Sequence, residues 1–177
     1  MKPVVITQAA VGSTFWAPIN QIQNAFGIGL GAAVTSGASL TYSVQHTFDD
    51  TTTDRQHIVI ISRAGTVATV TDIDHRLSVN DNIVITGSGD ANLDGSYAVA
   101  SLVDANTYTY TVANTGATTG SVNSKCTSFR VYNHATMVGQ TGRLDGNYAF
   151  SIQAVRLTVT AYVSGKVDLT ILQGMGR

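Results

Sequence analysis

Chemistry in this chain would have to rest on aspartate, histidine and a single cysteine, because none of its 177 residues is glutamate. The most suggestive run is Asp90-Ala91-Asn92-Leu93-Asp94-Gly95. It sets oxygen donors at alternate positions ahead of a glycine, as the opening of a calcium loop does. A loop of that kind closes on a bidentate glutamate at its twelfth position, and that position here is Ser101. The run is therefore read as a turn built from Asp, Asn and Gly. His46, His57, His75 and His134 are too widely scattered for a zinc set. A glycosidase pair would need two carboxylates flanking one bond, yet Asp49 and Asp50 are adjacent and would face opposite sides of a strand. An enzymatic reading would need Asp49, Asp50 and Asp145 brought together by loops. Cys126 forms no intrachain disulfide, being the only cysteine. With no matched base beside it, it reads as a buried structural thiol. No nucleophile elbow or phosphate loop occurs. The chain is expected to be no enzyme, with no catalytic residues, no cofactor and no metal.

What positions these residues must be strands. The chain holds 24 threonines and 20 valines and only three lysines. Threonine and valine suit a pleated surface, and glutamate is among the strong helix formers it lacks. Lys2–Val11 reads as a first strand, followed by a turn at Gly12-Ser13-Thr14 and, around Pro18, an irregular segment or strand edge at Ala17–Asn20. Ala25–Ser36, with glycine at alternate positions, reads as a strand lying close to another backbone. In Leu40–Phe48 every second residue is apolar, with His46 in that set, so one face should be buried.

Asp49–Asp54 breaks this pattern and reads as a junction. Beyond it come the strands His57–Arg63 and Thr66–Thr71, parted by a turn at Ala64-Gly65. A polar loop, Asp72–Asp81, precedes strands at Asn82–Thr86, Tyr97–Val103 and Thr107–Val112. Ala113–Ser124 reads as a second junction. The strands Phe129–Asn133 and Tyr148–Ile152 follow, on either side of a glycine-rich stretch. Val155–Val163 and Val167–Ile171 alternate strongly around Ser164-Gly165, a hairpin signal. Residues 1–50 and 126–177 would then form a host β-sandwich, split by a small inserted β domain at 54–124.

Charged residues make up only 12% of the chain, and the net charge is −1. That leaves no basic field for nucleic acid. A surface so poor in charge suits burial against other subunits. Residues 54–124 hold three arginines against seven aspartates, while the remainder holds seven basic residues against four aspartates. No stretch is long and apolar enough for a membrane span or a signal peptide. Tyr97, Tyr108 and Tyr110 could form a glycan-binding face. Tyr108 and Tyr110 share one strand face, which cross-strand packing explains equally well.

Two stretches carry a family resemblance: Gly37–Asp50, with Tyr42-Ser-Val-Gln-His-Thr-Phe-Asp-Asp50, and Gly139–Gly174, with Ala154-Val-Arg-Leu-Thr-Val-Thr-Ala-Tyr-Val-Ser-Gly165. They resemble a group of small virion proteins from the head region of tailed bacteriophages. The stretches around Asp72–Gly89 and Gly95–Val112 resemble the immunoglobulin-like or small β modules of phage structural proteins, with Arg76 where glycine is usual. The resemblance implies an all-β fold, with a β-sandwich or jelly-roll-like host split by a small Ig-like insert. It implies a capsid decoration, or cement, protein that binds the major capsid protein as a trimer or dimer. The host would face the capsid, the insert would project outward, and the location would be the virion, assembled in the host cytoplasm. The alternative is a neck, tail or fibre component, or a glycan-binding adhesin.

Overall fold

The computed structural model describes residues 3–20, 27–51 and 55–173. Lys2, Ala25, Asp54 and the terminus 174–177, which figure in the sequence reading, lie outside the described residues. Every regular element among them is a strand. They fall into two compact units, Met1–Thr52 with Phe129–Arg177, and Thr53–Ser128.

The first unit contains β1 (Val4–Gln8), β2 (Gly12–Ser13), β3 (Ala17–Pro18), β4 (Ile28–Val34) and β5 (Ser39–Thr47). The second contains β6 (Gln56–Thr71), β7 (Asn82–Thr86), β8 (Gly95–Ala98), β9 (Ser101–Asp104) and β10 (Thr107–Cys126). β11 (Tyr132–Asn133), β12 (Leu144–Tyr148), β13 (Ala154–Ser164) and β14 (Val167–Gln173) complete the first unit.

In the first unit one sheet has the order β1-β14-β4-β12, and the other runs β11-β5-β13-β2, with β3 also on β13. The chain changes sheet at each link, apart from β2 to β3 and the long passage from β5 to β11. That alternation is the jelly-roll topology. One core fills the space between the sheets: Leu30 and Ala32 from β4, Tyr42 and Val44 from β5, Leu157 and Val159 from β13, Leu169 and Ile171 from β14. Each such side chain contributes roughly 1.5–3 kcal/mol by leaving water.

The expected hairpin at Ser164-Gly165 is corrected by this topology. β13 pairs with β5, and β14 with β4 and β1, so the two strands lie in opposite sheets. Their inward side chains meet across the core rather than side by side. The link is a corner, and it stacks on the β4–β5 corner, where Thr35 N donates to Lys166 O at 3.0 Å. Gly165 has φ +89°, and a Cβ there would lie 2.3 Å from the Ala38 Cβ. Alternation along each strand identifies its buried face and leaves open which strand it pairs with.

Other readings also shift. Gly12-Ser13 is strand β2 on β13 rather than a turn. The strand expected at Tyr148–Ile152 ends at Tyr148, and its paired part begins earlier, at Leu144. Only Tyr132-Asn133 of the expected strand Phe129–Asn133 is paired. Gly29 and Gly31 form the middle of a sheet, but a Cβ there would meet atoms only at 3.7 and 3.4 Å, so close approach does not demand glycine.

In the second unit β6 runs unbroken through the turn expected at Ala64-Gly65. Gly65, at φ +64°, bends the strand instead. The supposed junction Ala113–Ser124 is the second arm of β10, paired with β6 from Gly116↔Gly65 to Lys125↔Gln56. Threonine, serine and asparagine along this arm face outward, while Val122 and Ser124 are buried, so polar composition concealed a strand. The register shifts between Thr111 and Gly116, and the ribbon folds over at that point. Tyr108 and Ser124 would be roughly 50 Å apart on a straight strand, yet their hydroxyls lie 2.7 Å apart. The five strands enclose their own core of Val59, Ile61, Val70, Ile83, Ile85, Leu93, Tyr108 and Tyr110. Arg76, where glycine was usual in the resemblance, adopts glycine's left-handed conformation at φ +52°, with Asp74 accepting from its guanidinium at 2.7 Å.

Candidate functional site

The outer face of the β5–β13 sheet carries the most organised surface in the first unit. Strand register sets Asn133 opposite Gln45, Gln45 opposite Arg156, and Thr158 opposite Ser13. Residues paired across strands on one face interact directly, and here they form a continuous polar row. Gln45 Nε2 donates to Asn133 Oδ1 at 3.0 Å. Arg156 Nε and Thr158 Oγ1 both donate to Gln45 Oε1 at 2.9 Å. The Ser13 and Thr158 hydroxyls are 2.8 Å apart.

A bulge places aromatic side chains beside this row. Between the pairs Ser13↔Thr158 and Ala17↔Val155, β13 has residues 156–157 while the facing chain has 14–16. An extra residue of this kind re-aims side chains. Thr14 stays attached, donating its N–H to Leu157 O and accepting from Leu157 N. Phe15 is left 96% exposed. Trp16 lies under the Arg156 guanidinium, 4.5 Å from Cζ to ring centroid, and meets Phe129 edge-on at 6.0 Å. Partial burial disfavours the charge on Arg156, lowering its pKa from the ordinary arginine value.

On the inner face His46 is buried, as the alternation of β5 predicts. Tyr132 stacks on it at 5.6 Å, and Phe48, Tyr148 and Phe150 approach edge-on. Its Nδ1 is 3.1 Å from the Tyr148 hydroxyl. Burial, reinforced by His134, holds the His46 pKa below that of free histidine. His134 meets the Tyr148 ring edge-on at 4.8 Å, with Nε2 3.1 Å from Asn147 O. Burial raises the Tyr148 hydroxyl pKa far above that of free tyrosine. Phe48, Tyr132 and Phe150 are each about half exposed, so the cluster opens onto the surface.

The aspartates of an enzymatic reading are not assembled. Asp49 accepts from Arg130 N at 2.7 Å at the end of β5. Asp145 lines a shallow groove with Gly31, Ala33 and Arg143 on the opposite sheet. The calcium-like run is a turn: Asp90 Oδ1 accepts from Asn92 N and Nδ2, and Asp94 accepts from Gly87 N and Ser88 N. Asp90 also receives Arg63 Nη2 at 2.8 Å. Ser101 is in β9. Tyr108 and Tyr110 are fully buried, and Tyr97 stacks on Tyr110 at 4.5 Å, so these rings pack the core and present no sugar-binding face.

Residues that the sequence leaves scattered do meet in the second unit. Arg55, His57, Asp72, His75, Ser124 and Cys126 line a cavity of about 200 Å³. His57 Nδ1 is 3.1 Å from Asp72 Oδ1. His75 accepts from Leu77 N and its Nε2 contacts Asp104 O at 3.0 Å, and the Cys126 thiol reaches Ser128 O at 3.5 Å. These bonds tie strand ends together. Among the described residues no three His, Cys, Asp or Glu side chains are grouped so as to hold a metal ion. No helix among them is long and apolar enough to cross a membrane.

No family model matches the chain, and no curated protein matches it. One similar solved structure is a phage phi92 endosialidase, at 20% identity and a TM-score of 0.37, covering 46% of this chain. The match spans 14% of the endosialidase chain.

Sequence reading missed Trp16, Arg156 and their neighbours. A lone tryptophan beside Phe15 in a polar stretch was the available signal. Only strand register brings Arg156 onto it.

Proposed function

We propose that this chain is a structural protein of a tailed-phage virion, a capsid decoration protein whose jelly-roll unit grips the major capsid protein. The outer face of the β5–β13 sheet is the observation that supports it. Tryptophan, phenylalanine and arginine are concentrated there, and the Arg156 guanidinium is fixed between Gln45 and the Trp16 ring before any partner arrives. Interface centres are enriched in such residues and depleted in lysine and aspartate, and a few aromatic and arginine side chains carry most of the binding free energy. Fixing them beforehand lowers the entropy lost on association. A jelly roll suits capsids and lectins alike, so the fold leaves the choice to this surface. With many copies on one shell, modest contacts per copy sum to a large resistance against separation of capsid subunits.

The deciding experiment is the copy number per purified virion, measured against the major capsid protein by quantitative mass spectrometry. Decoration predicts a ratio near one or a simple fraction of one. A ratio of a few per cent would move the chain to the neck, tail or fibre and sink the decoration reading.

A further inference from the structure

Among the described residues Arg156 is a cation without a counter-charge. Its Nε is engaged by Gln45 Oε1 and its plane by the Trp16 ring, and neither Nη has a partner among the described residues. Gln45 is itself held by Asn133, so the guanidinium is fixed in orientation. The side chain is half-buried, and partial loss of water disfavours its charge. A planar fork with two unused donor groups matches a carboxylate geometrically and electrostatically. Beside it lies a groove of about 520 Å³ lined by Val4, Ile6, Phe15, Trp16 and Ala17 together with Thr7, Gln8, Ser13 and Thr14. Trp16 belongs to both features: its ring carries the guanidinium, and the residue lines the groove.

We propose that this two-part site takes an acidic peptide segment of a partner protein, with an Asp or Glu carboxylate on Arg156 and the adjoining apolar side chain in the groove. This rests on the reading of the jelly-roll unit as the partner-binding unit. Charge complementarity selects the carboxylate. Val4, Ile6, Phe15 and Ala17 in the lining favour an apolar protein side chain over a sugar, whose hydroxyls would lose water against them.

Trp16 is the only tryptophan in the chain, so its fluorescence reports on the site directly. The full chain is titrated with N-acetyl-Phe-Asp-amide, with its neutral isostere N-acetyl-Phe-Asn-amide, and with N-acetylneuraminate. The proposal expects a saturable change with the Asp peptide, at least about tenfold weaker with the Asn peptide, since a hydrogen bond to a charged group is involved. Arg156→Gln should abolish that preference while leaving the far-ultraviolet circular dichroism unchanged. Equal binding of the two peptides by the unaltered chain, no saturable change, or binding of the sugar acid alone would each overturn it. These titrations need no virion, so their failure is separable from a low copy number, which would remove the decoration reading and leave the site intact.

Discussion

Replacing Gly165 by alanine tests the corner between β13 and β14. Two costs add. A residue with a side chain at φ +89° loses roughly 1–2 kcal/mol relative to glycine. The new methyl would also lie 2.3 Å from the Ala38 Cβ and 2.9 Å from its Cα, so one corner must move. Overpacking of that kind costs roughly 1–3 kcal/mol. Gly165→Ala should therefore destabilise the jelly-roll unit by about 2–5 kcal/mol. Ala38→Gly removes the nearer contact and leaves the backbone cost in place. The double variant should recover a large part of the loss, with a coupling of roughly 1–2 kcal/mol. Urea unfolding followed by Trp16 fluorescence isolates this unit, because the second unit has no tryptophan. Strict additivity, with no recovery in the double variant, would refute the stacked corners and restore the hairpin.

Three further outcomes follow from the same geometry. His46 is held neutral when folded, whereas the unfolded chain protonates it near pH 6.5. The unfolded state thus binds the extra proton first, so stability should fall as pH drops below about 6.5 and level off once the folded ring protonates; a His46→Gln variant with the same acid slope in a thermal scan would show the source is elsewhere. Tyr108→Phe removes the partner of the buried Ser124 hydroxyl and should cost the insert roughly 1–3 kcal/mol, read as faster amide exchange in β6 and β10. Among the described residues β6 pairs only with β10, and Ile58 and Ile60 project from it 82% and 58% exposed. Apolar edges are rarely left bare, so an interface between copies at this edge predicts a lower light-scattering mass for Ile60→Lys, and an unchanged mass would exclude that interface.

Much of the fold was legible in composition and period. The strand content follows from threonine, valine and the missing glutamate. The inward faces of β5, β13 and β14 were readable from alternation, because side chains on a strand point to opposite sides in turn. The Asp90–Gly95 turn was readable because the glutamate needed to close a calcium loop is absent.

Pairing was not legible, since it is set by contacts between residues far apart in sequence. Ser164-Gly165 satisfies a hairpin and a corner equally well locally. Only the chance to bury Leu157 against Leu169 across a shared core selects the corner. β10 was hidden because its outward face is polar along a whole arm, and β6 supplied the partner that made it a strand. The Arg156 site was hidden for the same reason. Sequence alone fixed its residue types, while the bulge at 14–16 and the register of β5, β13 and β2 decided that Trp16, Gln45 and Arg156 would meet.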